Sequence, residues 1–108
     1  MTRALLDRHP SPLEIDGVTF SSSHFDEVGD VLCLHAARGT LAVDFDETPE
    51  EHLLRFDREG RLLSLTILNV RWRLDRDGAV FVTLHAGGPT TRLPREVVEP
   101  LLVETPRY

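Results

Sequence analysis

One pattern recurs along the chain and leaves it few ways to fold: an apolar residue, then Asp, two mostly polar residues, Gly, and an apolar run. It occurs at Phe25-Asp26-Glu27-Val28-Gly29-Asp30-Val31-Leu32, at Phe56-Asp57-Arg58-Glu59-Gly60-Arg61-Leu62-Leu63 and at Leu74-Asp75-Arg76-Asp77-Gly78-Ala79-Val80-Phe81. An Asp side chain bonds the backbone two residues on, and Gly accepts the positive φ that ends a type I turn with a bulge. Each copy therefore predicts a hairpin. The flanks agree: Val18 and Phe20, Leu41, Val43 and Phe45, Leu54 and Phe56, and Val80, Val82 and Leu84 fall at period two, as in strands with one face on a core.

The run Leu62–Trp72 is more evenly apolar and reads as one long central strand covered on both sides or crossing a bulge. Pro94 opens a helical segment that places Val97, Val98, Leu101 and Leu102 on one side, and Pro100 splits it into two short turns or a kink. Gly87-Gly88-Pro89 marks a flexible connection. Thr2 to Asp7 is long enough for a helical turn, which Pro10 and Pro12 end. No repeat of 20 to 50 residues is present, which excludes a solenoid. These readings give a mainly β (β-rich α+β) domain, an antiparallel meander of six or seven strands with a short C-terminal helix. Residues 1–108 form a single domain, with 1–12 as an extended lead-in.

The residues Phe25-Asp26, Asp30-Val31-Leu32-Cys33-Leu34, Leu54-Arg55-Phe56-Asp57 and Gly60-Arg61-Leu62-Leu63-Ser64-Leu65-Thr66-Ile67-Leu68 resemble a small bacterial family, the domain of unknown function 2283. Its pattern is an aromatic-Asp opening followed by Asp-Val-Leu-aromatic, then a hydrophobic-aromatic-Asp turn, Gly-Arg and a strand ending near Ile-Leu. The resemblance covers residues 18–70, and 71–108 are an extra hairpin with the C-terminal helix. Cys33 stands where an aromatic is usual, and Phe25 and Phe56 where Tyr is common. The resemblance implies a fold and no catalytic residue or cofactor.

The formal charge of −6, from 18 acids and 12 bases, repels nucleic acid and anionic membrane on average and favours a basic partner. No segment reaches the ~18 apolar residues that span a bilayer, and Met1 to Pro12 lacks the apolar stretch of a secretory signal. Cys33 is the single cysteine, so no internal disulfide forms and a reducing cytoplasm suits the chain. It reads as a small core residue.

Five histidines, His9, His24, His35, His52 and His85, include no pair at short metal-ligand spacing. Asp44, Asp46, Glu47, Glu50 and Glu51 lack the Gly and spacing of a calcium loop, and read as a solvated connection bent by Pro49. A hydrolytic arrangement would take His52 as base, Asp57 or Asp44 to orient it, and Ser64 or Thr66 as nucleophile. None of the nucleophile-elbow, zinc-protease, phosphate-loop or Cys-x-x-Cys motifs is present. Arg71-Trp72-Arg73, read as strand, puts the arginines opposite the ring. That leaves Trp72 for the core or a dimer contact and the arginines for solvent or acids.

These readings predict a cytoplasmic, non-catalytic protein-interaction module, antitoxin-like in one version, partnered by another protein or by itself as a homodimer. No cofactor, metal, nucleic acid or membrane is expected. The alternative is a small hydrolase or metal-dependent enzyme using His35, His52 and His85.

Overall fold

The structure, a computed structural model, describes residues 13–36 and 41–103. Three antiparallel sheets hold its strands. Strands β1 (Leu13–Ile15) and β2 (Val18–Phe20) form a hairpin closed by Asp16-Gly17, both at positive φ. That Asp-Gly pair is the commonest chemistry for a two-residue turn. The main sheet has the order β3 (Ser22–Asp26), β4 (Val31–His35), β7 (Leu62–Leu68), β6 (Leu53–Phe56), β5 (Asp44–Glu47). It is two antiparallel units, β3–β4 and β5–β6–β7, joined where β4 pairs with β7, and so departs from the simple meander expected. A third sheet pairs β8 (Ala79–Val82) with β9 (Thr91–Pro94).

Of the three Asp-to-Gly segments, the second is the hairpin its residues predict. Asp57 Oδ1 accepts the Glu59 and Arg61 N–H groups at 2.9 and 2.8 Å, and Gly60 takes φ +80°. The first is a hairpin with a different pivot, because the positive φ falls on Asp30 and not on Gly29. Asp30 also serves a segment forty residues on: its carboxylate accepts the Arg71 and Trp72 N–H groups at 2.9 and 3.4 Å, capping helix α1 (Val70–Asp77).

The third segment is not a hairpin. Asn69, left-handed at φ +57°, ends β7, and Val70 to Asp77 wind into α1, with Val70 and Leu74 buried one turn apart. Gly78, at φ +73°, donates its N–H to Leu74 O at 2.7 Å and closes the helix. An Asp-to-Gly spacing suits a helix end as well as a hairpin. The strand expected over Leu62–Trp72 therefore stops at Leu68, with a bulge opposite Arg55 and Phe56. Trp72 lies on the helix, 53% exposed, with the Arg76 guanidinium 4.4 Å from its ring centre. It is not a core residue.

The C-terminal segment divides at Pro100 into α2 (Arg95–Val98) and a 3-10 turn, Glu99–Leu101. Val98 and Leu101 are buried, Val97 is exposed, and Leu102 packs at the core margin. The core gathers Phe25, Leu32, Leu34, Leu54, Leu65 and Ile67 from one face of the main sheet. Ile15, Phe20, Val70, Leu74, Val80, Val82, Leu84, Leu93, Val98 and Leu101 come from everything packed on it. The period-two pattern at Leu41, Val43 and Phe45 does not point to the core, since all three are exposed. The helical turn expected over Thr2 to Asp7 lies outside the described residues.

Candidate functional site

In-register partners put their side chains on the same face of a sheet. On the core face one row runs Phe25–Leu32–Ile67 and the next Ser23–Leu34–Leu65–Leu54–Asp46. On the other face the rows are His24–Cys33–Thr66–Leu53–Glu47, then Ser22–His35–Ser64–Arg55–Phe45, flanked by Asp26–Val31–Leu68. None of these side chains belongs to the core cluster, and among the described residues no other element contributes an apolar layer over them. Phe45 is 64% and Leu53 41% exposed. Cys33, expected in the core, lies half-buried on this open face, its Sγ 3.5 Å from Thr66 Oγ1.

The open face has a distinct relief and charge. Leu53 and Arg55 on β6 are large, with the Arg55 guanidinium 5.8 Å from the Phe45 ring centre, whereas Thr66 and Ser64 on neighbouring β7 are short. Ser64 Oγ is buried without a hydrogen-bond partner. Burial holds the His35 imidazole below its usual pKa, and the nearby His24 and Arg55 reinforce that shift.

On the acidic edge beside this face, aspartates engage two outward backbone donors. Thr48 N–H donates to His52 O, so alternation along β5 turns the N–H groups of Phe45 and Glu47 away from β6. Asp44 Oδ1 and Asp46 Oδ1 accept those two donors at 2.9 and 2.7 Å. The aspartates thus do more than add charge to an edge.

The turn after β5 is not a free solvated loop. The Glu50 carboxylate accepts the Thr83 N–H at 3.1 Å and its hydroxyl at 2.7 Å, and Thr83 Oγ1 also lies 2.7 Å from Thr90 Oγ1. Burial opposes ionisation of Glu50, but the bonds from Thr83 and Thr48 outweigh it and lower its pKa. Buried His52 places Nε2 2.8 Å from Phe81 O. A carbonyl only accepts, so Nε2 carries the proton and Nδ1 keeps a bare lone pair, which has no partner. Burial lowers the His52 pKa, against the raising effect of the Phe81 carbonyl. Together Glu50 and His52 fasten the 48–52 turn onto β8.

The residues of the enzymatic alternative do not assemble. His35 pairs with Ser64 on the open face; His52 is buried on the core side against Phe81; His85 is exposed beyond β8, 3.7 Å from Asp16. Ser64 and Thr66 are separated from His52 by the sheet, and Asp57, with a buried carboxylate, is occupied by Arg61 and its own turn. Among the described residues no trio of His, Cys, Asp or Glu is placed to hold a metal ion. The acids from Asp44 to Glu51 diverge into edge closure and the Thr83 contact.

Arg71 and Trp72 also part company on the helix. Arg71 lies over the Phe25 ring and pairs with Glu27 at 3.5 Å, as an acid-paired arginine. Arg73 Nε donates to Leu68 O at 2.7 Å, and a groove of about 340 Å³ runs between Trp72, Arg73 and the 48–52 turn. It mixes Arg73 and Arg76 with Glu50, Glu51 and Asp77, and so selects no ligand charge. Sequence reasoning left the open face undefined because it read Leu62–Trp72 as one long strand covered on both sides or crossing a bulge, whereas the bulged strand ends at Leu68 and the rest is helix. The signal was present in Ser22, His24 and Asp26 alternating with buried Phe25. No helix of the described residues is long and apolar enough to cross a membrane. No family model, curated protein or solved structure matches the chain.

Proposed function

We propose that the chain is a non-catalytic protein-interaction module that docks through the open face of its main sheet. The observation that carries this reading is the segregation of all buried apolar elements to one face, while Phe45 and Leu53 stand exposed on the other. Exposed apolar side chains grouped on one surface mark association sites more often than chance exposure does. Among the described residues no group of His, Cys, Asp and Glu on the open face is placed to hold a metal ion. An antitoxin-like version, in which a small basic protein is the partner, draws on the net charge of −6.

The test compares wild-type bait with a Phe45→Ser/Leu53→Ser double variant in capture from the source organism. Both positions are exposed, so the variant keeps its fold, checked by its melting curve. A stoichiometric protein held by wild type and lost from the variant supports the reading. The same set of proteins captured by both baits overturns it.

A further inference from the structure

We infer that the 48–52 turn is an acid-released latch: protonation of His52 frees the turn from β8 while the main sheet stays folded. The turn is bonded within itself as a unit. Thr48 N–H donates to His52 O, Glu51 N–H to Thr48 O and His52 N–H to Thr48 Oγ1, at 2.8, 2.8 and 3.0 Å. Among the described residues, three bonds tie it to β8 and the residue just after: His52 Nε2 to Phe81 O, and the Thr83 N–H and hydroxyl to Glu50. Pro49, Glu50 and Glu51 line the groove beside Trp72 and Phe81, so solvent reaches the turn from that side. Glu51, at φ +75°, holds a left-handed conformation that an L residue adopts at a cost, which opening relieves.

His52 is the pin of the latch. Its ring is fully buried, Nε2 gives its proton to Phe81 O, and Nδ1 has no partner among the described residues. A second proton, on Nδ1, would bury a charged donor with nothing to receive it. The ionisable groups facing the ring are Glu50 on its own turn, which favours protonation, and Arg73 on helix α1, which opposes it; β8 carries none. Burial outweighs Glu50 and the Phe81 carbonyl, so the closed turn takes up this proton less readily than an open one. Glu50 is not the trigger, because its bonds from Thr83 and Thr48 keep it ionised above about pH 5. Opening parts His52 from Phe81 O and Glu50 from Thr83, which bares a carbonyl and an N–H along the edge of β8. The latch lies on the core side of the main sheet and does not depend on the docking face.

Amide hydrogen exchange of the full chain, read by NMR from about pH 7 to about pH 5 and corrected for intrinsic rates, tests this. With an ordinary pKa near 6.5 in the open turn, the opening equilibrium at the Thr83 N–H rises about ten- to 25-fold over that range. The rise is expected to be indifferent to dilute urea, as local opening is, whereas exchange at Leu65 and Ile67 quickens with urea. His52→Gln, whose side-chain amide still donates to Phe81 O and does not titrate, removes the rise, and His35→Gln retains it. Protection at Thr83 that is flat with pH, or that is lost only together with Leu65 and Ile67 at every urea concentration, overturns the latch. A rise that persists in His52→Gln overturns it as well. Should His52→Gln fail to fold, His35→Gln decides, since loss of the rise there assigns it to His35 and overturns the latch.

Discussion

The two faces of the main sheet come from the same strands, alternate residue by residue, and have opposite fates. Leu65 and Ile67 on β7 are fully buried in the core cluster, whereas Thr66 between them is half-buried on the side to which no other described element adds an apolar layer. The assignment follows from register, since a slip by one residue would exchange every side chain between the faces. What differs is therefore not strand propensity but which half of the alternation finds an apolar partner. The buried apolar layer lies on one face, and the docking proposed above uses the other.

The largest effect expected from this contrast is at Leu65. Leu65→Ala leaves a cavity in the packed layer and costs about 2–5 kcal/mol in urea denaturation, while Leu53→Ala on the open face costs under about 0.5 kcal/mol at submicromolar concentration. Equal losses at the two positions would break the comparison.

Histidines sharpen it further. His52 on the core side is fully buried and holds Phe81 O, and His35 is half-buried on the open face. His52→Ala orphans that carbonyl and empties its site, costing about 2–3 kcal/mol; His35→Ala costs under about 1 kcal/mol. Both imidazoles have pKa values held below the usual 6.5. The unfolded chain therefore takes up protons first as the solution is acidified. Their contribution is complete above about pH 6.5 and is lost as the pH falls from there through the folded-state values. Denaturation midpoints across that range should fall for wild type and fall less for His52→Ala; an unchanged slope would place the acid sensitivity elsewhere.

Register itself depends on the 57–60 turn. Gly60 needs its positive φ, so Gly60→Val costs about 1–2 kcal/mol. Gly29 has an ordinary φ, and a Cβ there meets the Asp26 carboxylate at 3.1 Å and Val31 Cγ2 at an ordinary 3.5 Å, so Gly29→Ala costs a few tenths of a kcal/mol, ~0.5 at most. Denaturation of the two variants separates a pivot from a passenger within the same sequence pattern.

How much of this was legible in the sequence depends on whether the deciding interaction is local. The Asp57 turn was, because its donors and acceptors lie within four residues. The split at Pro100 and the β-rich class were legible for the same reason. Helix α1 was not: Asn69 offers no side-chain cap, and the capping carboxylate arrives from Asp30 in another turn. The 48–52 turn was misread because Glu50 and His52 satisfy groups on Thr83, just after β8, and on Phe81 within it, some thirty residues away. The open face was hidden because a strand pattern shows which residues alternate, not whether a second layer exists to cover them.

The smallest expected effect is the most discriminating, because it asks whether the open face contributes to folding at all. Thr66 lies at the centre of that face, paired to Cys33 and Leu53 on either side, and among the described residues its hydroxyl has only the weak 3.5 Å contact with Cys33 Sγ. Val is nearly isosteric and equally β-branched, so Thr66→Val keeps the strand preference and removes only that contact. At submicromolar concentration the urea midpoint should move by no more than the equivalent of about 0.5 kcal/mol. A gain beyond about 1 kcal/mol would mean that Thr66 is shielded within the single chain, since a buried hydroxyl without a good partner is what Val would relieve. The two faces would then differ in polarity but not in cover, and the docking proposed for the open face would lose its surface at Thr66.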